Sequence, residues 1–227
     1  MTSFHIKLIA IIAMVIDHVS LFFYPDNLAL KIVGRLSFPL FAFMVAIGAR
    51  HTQNISKYFL RMLIFALISQ TPYHLTHRLI NPEFSKLNVL FTFSLALLAI
   101  ILSTKITKVL VKLIPIVLSA AAAQFLKTDY GALGLLLVIS FYYFFDNFKI
   151  SSFSQVIFAF LATLISVSGF KQFSISQIDL GPAISLLTIP IIYSYNYKEG
   201  PKAKYLFYIF YPLQYTIIYL TMTIFSR

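Results

Sequence analysis

Apolar runs that approach the length needed to cross a membrane recur along this chain from Ile6 to Phe225. A spanning helix needs ~20 mostly apolar residues, or a few fewer where the bilayer is thin or the helix is broken. This requirement predicts an all-α protein, a polytopic transmembrane helix bundle with about nine spanning segments. Since no polar block separates them, we expect a single domain over residues 1–227. The predicted spans lie near Ile6–Phe23, Leu28–Gly48, Lys57–Thr76, Leu87–Ser103, Val109–Leu126, Tyr130–Phe145, Phe153–Gly169, Ile175–Tyr195 and Tyr205–Phe225.

The charge of the chain fits the same interpretation. Hydrophobic residues make up 59% of the sequence and charged residues 11%, whereas a soluble domain is about a quarter charged. The net charge is +11. In a soluble protein this would suggest nucleic-acid binding, but the basic loops of a membrane protein contact anionic lipid headgroups. We therefore expect membrane lipids, and no nucleic acid, among the partners.

The distribution of basic residues predicts an orientation. With nine spans, eleven Lys and Arg lie on the side of the N-terminus and seven on the other side. Because cytoplasmic loops carry the excess of positive charge, we expect a multi-pass protein of the cytoplasmic membrane with its N-terminus in the cytoplasm. The first apolar run contains Asp17 and His18 and lacks an A-x-A cleavage site before Tyr24, so we expect a retained helix rather than a signal peptide.

Asp17 and His18 lie inside the first predicted span, where ionisable side chains are costly and usually mark a function. At ~1.5 Å per residue, His18 lies ~16 Å beyond Lys7, about halfway through the hydrocarbon. A neutral imidazole at that depth can accept a proton from an amine or a hydroxyl. The carboxylate needs a cation, and Arg35 in the second span is the candidate partner. The alternative is that these three residues form a buried polar cluster whose only role is to fix helix packing.

Other polar residues have two interpretations each. Asp129 is either functional or the N-cap of the helix that follows, and Asp179 before Gly181 has the same two interpretations. His74 and His77 have the spacing of metal ligands, but no Cys or acidic residue accompanies them, so we expect no metal. The chain has no cysteine, no Gly-rich phosphate loop, no H-E-x-x-H and no G-x-S-x-G.

Basic residues cluster around the start of the third predicted span. Arg50, Lys57 and Arg61 surround a predicted helix start, and such cations beside open backbone N–H groups can hold phosphates. They serve equally well as anchors at the cytoplasmic surface. The sequence leaves both interpretations open.

Several short motifs are distributed along nearly the whole chain. They are Phe4-His5-Ile6-Lys7, Met14-Val15-Ile16-Asp17-His18, Gly34-Arg35-Leu36-Ser37-Phe38-Pro39-Leu40-Phe41-Ala42-Phe43, His51-Thr52, Asn54, Lys57-Tyr58, Arg61, Leu87-Asn88-Val89-Leu90, Asp129-Tyr130-Gly131 and Phe210-Tyr211-Pro212-Leu213. Together these motifs resemble the TraX family. The motifs of the first two predicted helices are the most specific, and those of the second half are weaker.

TraX proteins are similar to multi-helix membrane acetyltransferases, among them the enzyme that acetylates the N-terminus of conjugative pilin, and to transmembrane acyltransferases that use an acyl-CoA. The resemblance implies that His18 is the catalytic histidine, supported by Asp17 and Arg35. It implies acetyl-CoA as co-substrate on the cytoplasmic side, and an exported peptide, lipid or glycan as acceptor. The CoA phosphates are expected at Arg50, Lys57 and Arg61, and the acceptor at Asp129, Tyr130 and Gln214.

Gln214 departs from the pattern, because the resemblance predicts a histidine after Tyr211-Pro212-Leu213. The change implies altered acceptor chemistry, loss of activity, or a positioning role that an amide can still fill. Two further functions stay open from the residues. Asp17, His18 and Arg35 are also suited to a proton relay in a permease, and a non-catalytic assembly factor for surface structures would not need His18 at all.

Overall fold

The computed structural model describes residues 1–168, 181–201 and 204–225, and these residues form α-helices joined by turns. The all-α prediction is confirmed. The helices are α1 (Ser3–Phe23), α2 (Leu28–Gly34), α3 (Ser37–His51), α4 (Ile55–Arg78), α5 (Val89–Thr104), α6 (Val109–Phe125), α7 (Gly131–Tyr143), α8 (Phe148–Ser168), α9 (Gly181–Ile184), α10 (Thr188–Tyr193) and α11 (Lys204–Phe225), with a 3₁₀ turn at Ser185–Leu187. Asp179 and the first part of the predicted span Ile175–Tyr195 lie outside the described residues.

Asparagine side chains cap the N-termini of four of these helices. Asn27 accepts a hydrogen bond from the Leu30 N–H at 3.2 Å, and Asn54 accepts one from the Lys57 N–H at 2.8 Å. Asn88 and Asn147 do the same before α5 and α8. Each amide oxygen satisfies a backbone donor that has no partner within the first turn of its helix. Local sequence therefore sets these four boundaries.

The predicted span Leu28–Gly48 is broken into α2 and α3 at Arg35 and Leu36. Pro39 has no N–H, so it cannot donate to the carbonyl of Arg35, four residues earlier. The missing hydrogen bond opens the helix one turn before the proline. Arg35 therefore lies at a helix break.

Two stretches are long and apolar enough to cross a membrane by length and composition, Ser3–Phe23 and Leu28–His51, the second comprising α2 and α3. Apolar helices α5, α6 and α7 have 16, 17 and 13 residues. At ~1.5 Å per residue they are shorter than a hydrocarbon core of ~30 Å. Helix α4 is long enough, with 24 residues, but it carries many polar side chains. The nine-span bundle is thus not confirmed and stays a prediction.

The chain divides into two compact units. The first contains Met1–Ile47 and Ser140–Lys202, and the second contains Gly48–Ile139 and Ala203–Arg227. The prediction of a single domain is not tested by this division.

In the first unit, the N-terminus pairs with the segment after α10. The Ser3 N–H donates to the Lys198 carbonyl at 2.8 Å, and the Asn196 N–H donates to the Met1 carbonyl at 2.9 Å. Phe43 of α3 contacts the rings of Phe141 and Tyr195 edge-on. These contacts tie distant parts of the sequence into one packed core.

In the second unit, α4 and α11 pack side by side and run parallel. Phe65 stacks on Tyr208 with ring centroids 5.0 Å apart, and further along both helices the Thr76 hydroxyl donates to the Tyr215 carbonyl at 3.1 Å. From the first contact to the second, the residue numbers increase along both helices, so the two helices run in the same direction. The start of α5 is attached to α4 by Asn88, whose amide donates to the Ala66 carbonyl at 2.8 Å.

Glycine permits the closest approach of α1 and α2. A Cβ atom at Gly34 would lie 2.7 Å from the Cα and the Cβ of Asp17, a separation that real side chains do not tolerate. We expect Gly34→Ala to lower the free energy of unfolding by about 1–3 kcal/mol, because the α1 backbone must shift to make room. The measurement is loss of helical circular dichroism during denaturation in detergent.

Gly48→Ala is the matched control, since a Cβ there would meet only the ring end of Tyr58, 2.8 Å from its hydroxyl. A side-chain end moves more easily than a backbone, so the loss should be smaller. A Gly34→Ala protein that gains the ~0.5–1 kcal/mol usual for replacing a helical glycine would contradict the close contact.

Candidate functional site

Helix α1 presents Asp17 and His18 in different directions. His18 continues a buried stripe with Ala10 and Met14 at the four-residue spacing of one helix face, and it is 8% exposed. Asp17 is half-buried and lies against Gly34 of α2. The side chains of successive helical residues point ~100° apart, which accounts for the separation.

Arg35, the residue after this contact, is the charged partner of Asp17. The Arg35 guanidinium attracts the Asp17 carboxylate electrostatically, and Arg35 is itself half-buried. The break between α2 and α3 places this cation beside α1. The structure therefore brings Arg35 beside Asp17 in the first unit, and Asp17 lies on the same helix as the buried His18.

The basic residues at the start of α4 lie in the second unit and differ in exposure. Arg50 and Lys57 are exposed, on either side of the turn in which Asn54 caps α4. Arg61 is half-buried, donates to the Tyr208 hydroxyl and lies with its Cζ 6.0 Å from the centroid of the Tyr58 ring. Arg61 is thus held within the packing of α4 and α11, whereas Arg50 and Lys57 extend outward.

A cluster of aromatic side chains around His77 was missed by the sequence analysis. We call Tyr73, His77, Tyr211 and Tyr215 the Tyr–His cluster. The His77 Nδ1–H donates to the Tyr73 carbonyl at 2.9 Å, and the His77 ring lies 5.6 Å from that of Tyr215. The Tyr215 and Tyr211 hydroxyls are hydrogen-bonded to each other, and the Tyr211 hydroxyl is also hydrogen-bonded to the backbone of Val89. Tyr73 and His77 are four residues apart, as are Tyr211 and Tyr215, so the sequence could have indicated that each pair shares a helix face, but not that the two pairs meet.

Asp129 and Tyr130 lie near the Tyr–His cluster. The Asp129 carboxylate acts electrostatically on Tyr73, Tyr211 and Tyr215. Its backbone is fixed, because the Asp129 N–H donates to the Leu87 carbonyl at 2.8 Å and its carbonyl accepts from the Thr92 hydroxyl. Helix α7 begins at Gly131, two residues later, so Asp129 does not directly precede the helix as an N-cap would.

Gln214 is buried on α11 between Tyr211 and Tyr215 and is 7% exposed. Neither its amide nitrogen nor its amide oxygen has a hydrogen-bond partner among the described residues. Burying an unsatisfied polar group costs about 1–3 kcal/mol, and such groups are rare in native proteins. Gln214 is therefore an exception that needs a functional or structural reason.

The predicted residues fall into two sets. Asp17, His18 and Arg35 belong to the first unit, and the second unit holds the other six: Arg50, Lys57, Arg61, Asp129, Tyr130 and Gln214. In the described part of the chain, no three His, Cys, Asp or Glu side chains come together as a metal site, and the expectation of no metal stays a prediction.

The sequence model of the TraX protein family matches residues 3–222. This chain belongs to the TraX family. The match covers both units and every residue named above as a candidate for the site, and it confirms the family that the sequence motifs indicated.

Two relatives extend the comparison of this TraX chain. A protein described as "Probable fimbrial assembly protein FimC, serogroup H1", from Dichelobacter nodosus, is 30% identical over 231 residues, which cover 96% of this chain and 94% of the relative. Uncharacterized protein RP591 from Rickettsia prowazekii (strain Madrid E) is 45% identical over 38 residues, which cover 17% of this chain and 15% of the relative. No solved structure matches the chain. The apolar helices and the fimbrial-assembly relative together indicate a membrane protein.

The contact between Asp17 and Arg35 can be tested with a double-mutant cycle. We expect Asp17→Asn and Arg35→Gln to be coupled by about 0.5–3 kcal/mol in the free energy of unfolding, because each single change leaves a half-buried charge without its partner. The measurement is denaturation in detergent for the wild type, the two single variants and the double variant.

Asp26 and Lys31, both exposed, form the control pair. Exposed charges are screened by water, so Asp26→Asn and Lys31→Gln should be additive within ~0.5 kcal/mol. Additivity of the Asp17 and Arg35 variants as well would contradict the pairing.

Proposed function

We propose that this TraX-family protein is an integral membrane acyltransferase that moves an acetyl group from acetyl-CoA to an amine or hydroxyl of an exported or surface acceptor. The observation that carries the proposal is the buried His18 in the apolar helix α1. Its neighbour in sequence, Asp17, interacts with Arg35. Ionisable side chains at such positions usually serve a function. The fimbrial-assembly relative supports a pilin-like peptide as acceptor, and a lipid or a glycan has the same kind of nucleophile.

His18 serves as the general base. The acceptor nitrogen or oxygen attacks the thioester carbonyl of acetyl-CoA, and its proton passes to the imidazole. The new C–N or C–O bond forms, the C–S bond breaks, and the leaving CoA sulfur takes the proton back from the imidazolium. Arg35, with Asp17 as its charge partner, stabilises the negative oxygen that develops on the carbonyl.

The donor is bound through its phosphates at the start of α4. Arg50 and Lys57 are exposed cations beside the first turn of that helix, where backbone N–H groups favour anions. Arg61 contributes less to phosphate binding in this proposal, since its guanidinium already bonds Tyr208.

The acceptor is bound near Asp129, Tyr130 and Gln214. The amide of Gln214 can donate to a carbonyl oxygen and accept from an N–H, so it suits a positioning role in place of a histidine. Its lack of a partner among the described residues supports this role, because binding the acceptor would supply the missing hydrogen bonds.

We also propose a multi-pass topology in the cytoplasmic membrane with a cytoplasmic N-terminus. The parallel course of α4 and α11 supports it, because these helices correspond to the third and ninth predicted spans, and two odd-numbered spans must run in the same direction. The excess of Lys and Arg on the N-terminal side supports the orientation.

A non-catalytic assembly factor is the second candidate, and the name of the fimbrial-assembly relative favours it. Such a protein would need the fold and a docking surface, but no general base. The two candidates differ in what the loss of His18 does.

We expect His18→Ala to lower acetyl transfer from acetyl-CoA to a peptide amine by about 10²–10⁴-fold, which is the usual contribution of a general base. The measurement is the release of the CoA thiol by purified protein reconstituted in lipid nanodiscs. His5→Ala is the control, because His5 lies on the same helix but is exposed. Full activity of a folded His18→Ala protein would remove the assigned role, and support of assembly by that variant in cells would favour the assembly factor.

Gln214→Leu should stabilise the fold and impair activity. Leucine removes the unsatisfied amide at similar size, which should raise the free energy of unfolding by about 1–3 kcal/mol, while acetyl transfer falls. Gln214→His should keep activity, because histidine can make the same positioning hydrogen bonds. Denaturation in detergent and CoA release are the two measurements.

Gln155→Leu is the matched control for stability. Gln155 is also buried, but its amide donates to the Ser185 carbonyl at 3.0 Å and contacts the Thr188 hydroxyl. Its replacement should therefore destabilise the protein. If Gln214→Leu lowers stability as Gln155→Leu does, Gln214 is a structural residue and its proposed role is wrong.

A further inference from the structure

A groove of about 600 Å³ runs between α5 and α6 in the second unit. Its walls are leucine and isoleucine side chains, and a lysine lies at one end. Six of the lining residues define its shape and charge: Leu95, Leu98, Leu102, Ile114, Leu118 and Lys105. The groove lies outside the residues assigned to acyl transfer, and a ligand bound there is independent of the proposed function.

The walls of the groove include exposed apolar side chains. Ile114 is 54% exposed and Leu118 is 64% exposed. Apolar surface of this kind, gathered in a concave site, marks contact with a lipid or an apolar partner. The occupant must therefore offer a long apolar part.

The length of the groove fits one half of a bilayer. From Leu95 to Lys105 is ten residues of α5, or ~15 Å at ~1.5 Å per residue, which is half of a hydrocarbon core of ~30 Å. One acyl chain of a lipid in a single leaflet spans the same depth. The lysine then lies at the level of the headgroup.

Positive charge is concentrated at that end of the groove. Lys105, which lines the groove, and Lys108 lie in the turn that joins α5 to α6, and Lys112 lies in the first turn of α6. The sequence between Glu83 and Asp129 contains no acidic residue to neutralise them. Basic residues at a membrane surface attract anionic headgroups, whereas a zwitterionic headgroup gains little.

We infer that this groove is a binding site for an anionic glycerophospholipid, with one acyl chain along α5 and α6 and the phosphate at Lys105, Lys108 and Lys112. A second copy of the chain is a poorer occupant, because each copy carries a net charge of +11. The acyl chain of the lipid matches the apolar walls of the groove, and its negative phosphate matches the lysines at one end.

The absence of tryptophan in the sequence allows a direct test. Leu118→Trp places a single fluorescent reporter at the exposed wall of the groove. Phe160→Trp on α8, where Phe160 is 61% exposed, reports a lipid-facing position of the first unit as the control. The full chain is reconstituted in vesicles that contain brominated phosphatidylglycerol or brominated phosphatidylcholine at equal fractions, and quenching gives the relative binding of the two lipids.

We expect brominated phosphatidylglycerol to be preferred at Leu118→Trp by about fivefold for each lysine that contacts the phosphate, and not at Phe160→Trp. Replacing Lys105, Lys108 and Lys112 by Ala in the reporter protein should abolish the preference. Ala122→Phe should also abolish it, because Ala122 lines the groove and a ring there fills it. Equal quenching by both lipids at Leu118→Trp, or a preference that survives the triple lysine replacement, would overturn the inference.

Discussion

Polar groups surrounded by apolar helices must find partners inside the protein, and this requirement governs the structure. Asparagines satisfy the first N–H groups of four helices, and the Thr76 hydroxyl reaches across from α4 to the Tyr215 carbonyl. Asn88 ties the start of α5 to Ala66, and Gln155 bonds the Ser185 carbonyl. An unpaired polar group is costly in apolar surroundings. Buried polar side chains without a partner, and charged side chains within apolar helices, therefore indicate a functional role rather than a stabilising one.

Two places stand out by this criterion. At the contact of α1 and α2, the Asp17 carboxylate and the Arg35 guanidinium attract each other where Gly34 allows the helices to touch. On α11, the Gln214 amide is buried and has no hydrogen-bond partner among the described residues. A helix bundle built only for stability would place apolar residues at these positions.

Sequence alone predicted the features that depend on local chemistry. The helical class follows from the length of the apolar runs. The break at Arg35 was not predicted, because the apolar run Leu28–Gly48 indicated one unbroken span, although the missing N–H of Pro39 accounts for it. The Tyr–His cluster could not be foreseen in the same way, because it joins Tyr73 to Tyr215 over more than a hundred residues of sequence. Likewise, the positive charge of Arg61 is evident from the sequence, but only the packing of α4 and α11 shows that this guanidinium bonds Tyr208. The number of spans stayed a prediction, since α5, α6 and α7 are shorter than the ~20 residues that a spanning helix needs.

Membership of the TraX family and the charged pair between α1 and α2 support our proposal of acetyl transfer, and the fimbrial-assembly relative supports a fimbrial subunit as the proposed acceptor. The most direct test is mass spectrometry of an exported fimbrial subunit incubated with the reconstituted protein and ¹³C-acetyl-CoA. We expect labelled acetyl on the subunit and an equal amount of free CoA. An unlabelled subunit with undiminished acetyl-CoA, from protein that still supports fimbrial assembly, would contradict it.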